Sequence, residues 1–105
     1  MKKIIFVKKK ISLSILIPCY NWDIYNLIKN LHNYCREEDN LSAFEIICIE
    51  DSSTIFFLNK NISAFSNTSY QRLSKNIGRS KIRNLMAKRA KHEWLLFIDA
   101  DSKID

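Results

Sequence analysis

The apolar residues of the chain follow two rhythms. Ile11-Ser12-Leu13-Ser14-Ile15-Leu16-Ile17 opens with apolar/polar alternation and closes fully apolar, which predicts a strand entering a sheet covered on both faces. Pro18 lacks the donor a central strand needs and is expected to stop it, with Cys19-Tyr20-Asn21 forming the turn. Ile24, Leu27, Ile28, Leu31 and Cys35 then recur at helical spacing, which predicts a helix from about Trp22 to Arg36 with Asn21 as its N-cap. Phe44 to Ile49 predicts a second strand. Ile55 to Asn67 is weakly patterned and reads as a short helix or irregular crossover, and Tyr70 to Leu73 as a short third strand. Ile82, Leu85, Met86 and Ala90 predict an amphipathic helix over Arg79 to Lys91. Glu93 to Ile98 is the fourth strand, and its unbroken apolar run predicts cover on both faces.

Strand, helix, strand, crossover, strand, helix, strand is the order of an α/β domain, a mostly parallel sheet with flanking helices and right-handed crossovers. With 105 residues the chain holds one domain at most: residues 11–105 form it, and residues 1–10 read as a basic N-terminal tail. Hydrophobic residues make up 47% of the chain, enough for a packed core. The single glycine excludes glycine-rich phosphate loops of the dinucleotide-binding or Walker kind.

Charge sharpens the picture. The formal net charge of +6 favours anionic partners. Part of the excess lies in the tail, at Lys2, Lys3 and Lys8 to Lys10, which reads as solvated, with attraction to an inner-membrane surface as the minority reading. The rest lies in Arg79-Ser80-Lys81-Ile82-Arg83 and Lys88-Arg89-Ala90-Lys91. Cations at a helix N-terminus oppose its dipole, so something anionic is expected there. The basic residues lack the interleaved aromatics of a nucleic-acid binder, and nucleic acid is not an expected partner. Cys19, Cys35 and Cys48 have no disulfide or metal-ligand pattern and read as buried thiols of a reducing cytoplasm, and no apolar run is long enough to span a bilayer. His32 and His92 are isolated and charge-flanked, and both read as surface residues.

The candidate chemistry lies where the strands end. The fourth strand ends in Asp99-Ala100-Asp101 and the second in Glu50-Asp51. Two like charges that close raise the cost of desolvation unless they stay solvated or a cation neutralises them. Mn²⁺ or Mg²⁺, carrying substrate phosphates, is the natural neutraliser. In open parallel sheets ligands sit beyond the carboxyl ends of the strands, where Pro18 to Asn21, Asp51 to Ser53 and Asp99 to Asp101 all fall. A receiver-like signalling domain would carry acids after its first strand, where this chain has Pro18-Cys19-Tyr20-Asn21.

Taken in order, Ser14 to Asn21, Glu45 to Ser53, and Asn76-Ile77-Gly78 through Arg83-Asn84 to Phe97-Ile98-Asp99-Ala100-Asp101-Ser102 resemble the successive motifs of the family 2 glycosyltransferases. The resemblance implies the N-terminal half of a GT-A fold, a nucleotide-diphosphate sugar donor, typically a UDP-sugar, and a saccharide or lipid-linked acceptor. It implies inverting transfer in bacterial surface-polysaccharide synthesis, on the cytoplasmic side and at most peripheral to the inner membrane. It implies that Pro18, Cys19, Tyr20 and Asn21 line the nucleoside pocket, that Asp51 accepts a hydrogen bond from the base and that Arg83 lies near the diphosphate. Asp99 would contact the ribose or support the metal, and Asp101 would ligate Mn²⁺ or Mg²⁺. The family's general base belongs to the C-terminal half, so no catalytic residue is assigned here. One departure is Glu50-Asp51-Ser52, where the family usually has two Asp and then Gly. The alternative expectation is a non-catalytic half-domain that binds nucleotide or a partner chain without turnover.

Overall fold

A computed structural model describes residues 4, 9–55 and 58–103 of the chain. Of the basic tail only Ile4, Lys9 and Lys10 fall among these, all exposed, and the rest of it lies outside the described residues, as do Phe56 and Phe57 of the crossover. The elements are β1 (Ile11–Cys19), α1 (Tyr25–Glu37), β2 (Leu41–Glu50), a 3₁₀ helix (Leu58–Ala64), β3 (Thr68–Arg72), α2 (Arg79–Arg89) and β4 (Trp94–Phe97). The sheet order is β3-β2-β1-β4 and every pairing is parallel. The connection through α1 moves the chain outward from β1 to β2, whereas that through α2 carries it back across to the far side of β1. The strand order therefore reverses beside β1, and that reversal opens a crevice at the carboxyl ends of β1 and β4.

Side-chain alternation on the two long strands builds a core on each face. Ile15, Ile17 and Cys19 of β1 with Phe44, Ile46 and Cys48 of β2 pack under α1, which contributes Leu27, Ile28, Leu31 and Cys35. On the opposite face Leu16, Ile47 and Ile49 pack against Ile82 and Met86 of α2. Both helices thus bury the apolar faces their spacing predicts. Cys19, Cys35 and Cys48 are free, buried thiols, and among the described residues no helix is long and apolar enough to cross a membrane.

Several expectations change. β1 runs through Pro18 to Cys19, with Pro18 beside Ile49 and Cys19 beside Glu50. Leu16 offers its carbonyl to Ile98 of the β4 side and Cys19 offers its carbonyl to Asp51 on the β2 side, so by alternation the nitrogen of Pro18 faces the β4 side, beyond that strand's last pair at Phe97. Its missing donor costs the ladder nothing there. The first helix begins at Tyr25, not Trp22, and Asn21 is not its cap: no side chain caps the helix at Ile24, and Asn21 stands in the left-handed region at φ 52°. Asp23 Oδ1 instead accepts the N–H of Tyr25 at 3.1 Å.

His32 is buried, against Phe44 and Phe65 with Nε2 2.9 Å from Ser66 Oγ, rather than on the surface. Burial, followed by the charge of Arg36, holds its pKa below 6.5. The largest difference concerns β4. Trp94, Leu95 and Leu96 are 55%, 42% and 45% exposed, so the run is not covered on both faces. Among the described residues β4 pairs with β1 only, and the helices lie over β1 and β2.

Candidate functional site

The crevice at the end of β1 holds a cavity of about 530 Å³, lined by Pro18, Cys19, Tyr20, Trp22, Asp51, Asn76, Gly78, Arg79, Ile82, Asp99, Ala100 and Asp101. Three segments that the sequence placed on one rim thus meet in space. Six of the eight singled-out residues, Pro18, Cys19, Tyr20, Asp51, Asp99 and Asp101, lie in its wall. Asn21 and Arg83 do not.

Asn21 serves the rim from behind. Its Oδ1 accepts the N–H groups of Thr54 (2.7 Å) and Ile55 (3.0 Å), and its own N–H donates to Ser53 Oγ (3.0 Å), which ties the β1 turn to the β2 turn. Arg83 lies one turn, about 5.4 Å, further along α2 than the helix start. It stacks its guanidinium 4.2 Å from the Phe97 ring centre. Arg79, at the start of α2, lines the cavity instead. Arg79 directly follows Gly78, and α2 starts at the rim.

Asp51 is the fixed point of the site. It is buried, and its two carboxylate oxygens accept the N–H groups of Ile77 (2.7 Å) and Gly78 (2.9 Å). Asn76 Nδ2 donates to the Asp51 carbonyl at 3.0 Å. These bonds hold the start of α2 against the end of β2. Gly78 stands at φ 86° and ψ 163°, a conformation that essentially only glycine adopts, so the chain spends its one glycine on the corner that turns α2 into the cavity. The first-turn N–H groups of a helix have no intrahelical acceptors, and with the helix dipole they favour an anion at this end. Arg79 adds a cation.

Opposite stand the acids of the β4 end. Asp99 Oδ1 lies 3.4 Å from Arg79 Nη2, both side chains exposed. An exposed pair of this length is worth about 0–1 kcal/mol, so either partner can turn to a ligand. Among the described residues no group of three or more His, Cys, Asp or Glu side chains could hold a metal ion. Two exposed carboxylates facing an anion-binding helix end fit a different arrangement, since Mg²⁺-like ions are held by one or two carboxylates together with waters and substrate phosphates.

Behind the wall a buried polar group links β2 to the β1 turn. Glu50 Oε1 accepts from Asn59 Nδ2 (3.2 Å), and Glu50 Oε2 accepts from the Tyr70 hydroxyl. Burial and then this carboxylate push the Tyr70 hydroxyl well above its ordinary value. A hydrogen bond from the Cys48 thiol pulls Cys19 down against the effect of burial and pushes Cys48 up. Asn59 lies in the weakly patterned crossover, where spacing gives no signal for it.

An open parallel sheet with a cavity at its switch point, acids at the end of β4 and a helix start opposite is that of a GT-A type domain, the N-terminal part of a nucleotide-diphospho-sugar transferase fold. Residues 14–105 match the family model described as Glycosyl transferase family 2, and the chain belongs to that family. It is similar to solved structures of S. aureus TarS at 30% identity. The TarS structure matches with a TM-score of 0.64 over 86% of this chain and 16% of that one. TarS 1-349 in complex with UDP matches with a TM-score of 0.64 over 86% of this chain and 27% of that one. The complex of TarS 1-349 with UDP-GlcNAc matches with 0.65 over 86% and 26%. The chain therefore spans about a quarter of the length of TarS 1-349. A comparison with curated proteins gives no match.

Proposed function

We propose that the rim cavity binds a nucleoside-diphosphate sugar of the UDP type together with Mn²⁺ or Mg²⁺, as the donor half of a glycosyl transfer to a saccharide or lipid-linked acceptor. The observation that carries this reading is the meeting of three sequence-distant segments at the switch point, with an anion-binding helix start facing two carboxylates. Tyr20 and Trp22, half-exposed in the wall, offer apolar surface to the base, and Pro18 and Cys19 line the same cavity. Asp51 keeps unused lone pairs on oxygens that already hold Ile77 and Gly78, and these can accept from the base. The start of α2 and Arg79 take the diphosphate. Asp101, with Asp99 on the ribose or beside it, would hold the ion, which when bound supplies charge neutralisation to a leaving nucleoside diphosphate. Arg79 and the helix dipole add to that stabilisation, which counts most where negative charge grows as the sugar leaves. The similarity to a TarS structure in complex with UDP-GlcNAc supports the donor class. The setting is the cytoplasmic side, and the lysines of the tail favour an anionic inner-membrane surface.

The exposed apolar β4 favours a second reading, a half-domain that binds nucleotide and pairs with further polypeptide without turnover of its own. Thermal melting with UDP, with and without Mn²⁺, tests the site. Ligand at about 100 times its dissociation constant adds roughly 2.7 kcal/mol, so a metal-dependent rise in Tm that Asp101→Ala abolishes is expected. No shift in a cooperatively folded chain refutes the donor site, and multiple-turnover transfer to an added acceptor refutes the second reading.

A further inference from the structure

We propose that Asn59 and Glu50, neither of them in the cavity wall, are positioning residues for its aromatic side, and that the length of Glu50 is the property that matters. This rests on the donor-site reading above. The segment from Cys19 to Ile24 carries Tyr20 and Trp22 into the cavity yet ends in a helix start without a side-chain cap. Asn59, fully buried in the 3₁₀ helix, supplies what is missing. Its Oδ1 accepts the N–H of Ile24 (3.0 Å) while its Nδ2 donates to the carbonyl of Trp22 (2.8 Å). The amide is oriented in turn by Glu50 Oε1 at 3.2 Å. Glu50 is itself buried and held on its other oxygen by Tyr70. One amide thus grips the segment on both sides of Asp23, and the carboxylate of β2 fixes the amide.

The chain has Glu at this position where its family resemblance leads one to expect Asp. An Asp would end about 1.5 Å short, which stretches the 3.2 Å contact beyond hydrogen-bonding distance and removes the bond that orients the Asn59 amide from the β2 side. A Gln keeps the reach: its Oε1 accepts from Asn59 and its Nε2 donates to the Tyr70 oxygen. Reach and charge are therefore separable.

The test uses the 105-residue chain and measures the UDP dissociation constant by calorimetry with Mn²⁺, at a temperature where circular dichroism shows every variant folded. Asn59→Ala and Glu50→Asp are expected to weaken UDP binding about tenfold, the equivalent of one buried hydrogen bond at about 1.4 kcal/mol, whereas Glu50→Gln stays within about threefold. A role in stability alone lowers Tm and leaves the affinity of the folded chain unchanged. Trp94→Phe leaves Trp22 as the sole tryptophan, and its emission and acrylamide quenching provide a readout that needs no ligand. They are expected to change in Asn59→Ala and Glu50→Asp and to be preserved in Glu50→Gln. Wild-type affinity and unchanged Trp22 emission in both damaging variants overturn the proposal, and so does Glu50→Gln behaving like Glu50→Asp. If Asn59→Ala fails to fold, Glu50→Asp and Glu50→Gln decide it. If the wild type binds no UDP, the donor-site reading fails and Trp22 emission alone decides the positioning claim.

Discussion

Replacing Gly78 with alanine isolates the backbone's part in building the site. Gly78 sits at φ 86° and ψ 163°, and a Cβ added there meets no atom within 4 Å. Steric crowding therefore contributes nothing, and the cost is that of the dihedral angles, about 1–3 kcal/mol for an L-residue in this region. The residue cannot relax freely, because its N–H donates to Asp51 Oδ2 (2.9 Å) and its carbonyl accepts from Ile82 (3.1 Å). Alanine also restricts the unfolded chain, which returns about 0.4–1 kcal/mol, so the net loss expected is about 1–2 kcal/mol. For a domain of this size that lowers Tm by about 5–15 °C. Calorimetric melts of wild type and Gly78→Ala measure it directly, and urea titrations should show a lower midpoint at unchanged slope. A Tm within about 2 °C of wild type would refute the assigned corner conformation and with it the aim of α2 at the cavity.

The converse change is at Ser52, which stands at φ 60° and whose hydroxyl makes only a 3.5 Å contact with the Ser74 carbonyl. Ser52→Gly relieves about 1–2 kcal/mol of left-handed strain against a glycine entropy cost of about 0.5–1 kcal/mol, so Tm should rise by a few degrees while Ser52→Ala gains nothing. His32 has its pKa lowered by burial, so below 6.5 the unfolded chain takes up a proton that the folded chain refuses. Stability should be flat above that pH and fall as pH drops from it toward the folded pKa, and denaturant titrations across pH should lose this dependence in His32→Gln. Glu45 Oε2 accepts from Ser14 Oγ (2.5 Å) and from the N–H of Lys91 (2.7 Å), and its removal in Glu45→Ala leaves a backbone donor unpaired. The expected cost is about 1–3 kcal/mol in urea unfolding, and no change would show that water replaces the carboxylate.

Resemblance and geometry divide the explanation of the acidic residues. Asp99 and Asp101 need only a strand that ends at the rim, and the apolar run before them places it there. Asp51 does more than line the cavity, because it also fixes Ile77 and Gly78. Its loss would therefore disturb the start of α2 along with the β2 end of the cavity wall.

Periodicity made most of the architecture legible in advance. A residue's face on a helix or strand follows from its spacing, so the inward faces of α1 and α2, the α/β class and the meeting of three strand ends on one rim could all be read from the order of residues. What spacing cannot encode is which residues far apart in sequence become partners. Asn59 grips Ile24 and Trp22 from 35 and 37 positions away, Asp51 holds Gly78 from 27 away, and Asn21 bonds Thr54 rather than capping its own helix. Nor does it fix which strand lies at an edge. The run Trp94 to Phe97 has the composition of a covered strand, yet among the described residues it pairs with β1 alone and Trp94, Leu95 and Leu96 stay half-exposed. Local preference is a property of neighbouring residues and therefore of the sequence alone. Strand order, edge exposure and the hydrogen bonds that aim a site arise only when the whole chain closes around one sheet.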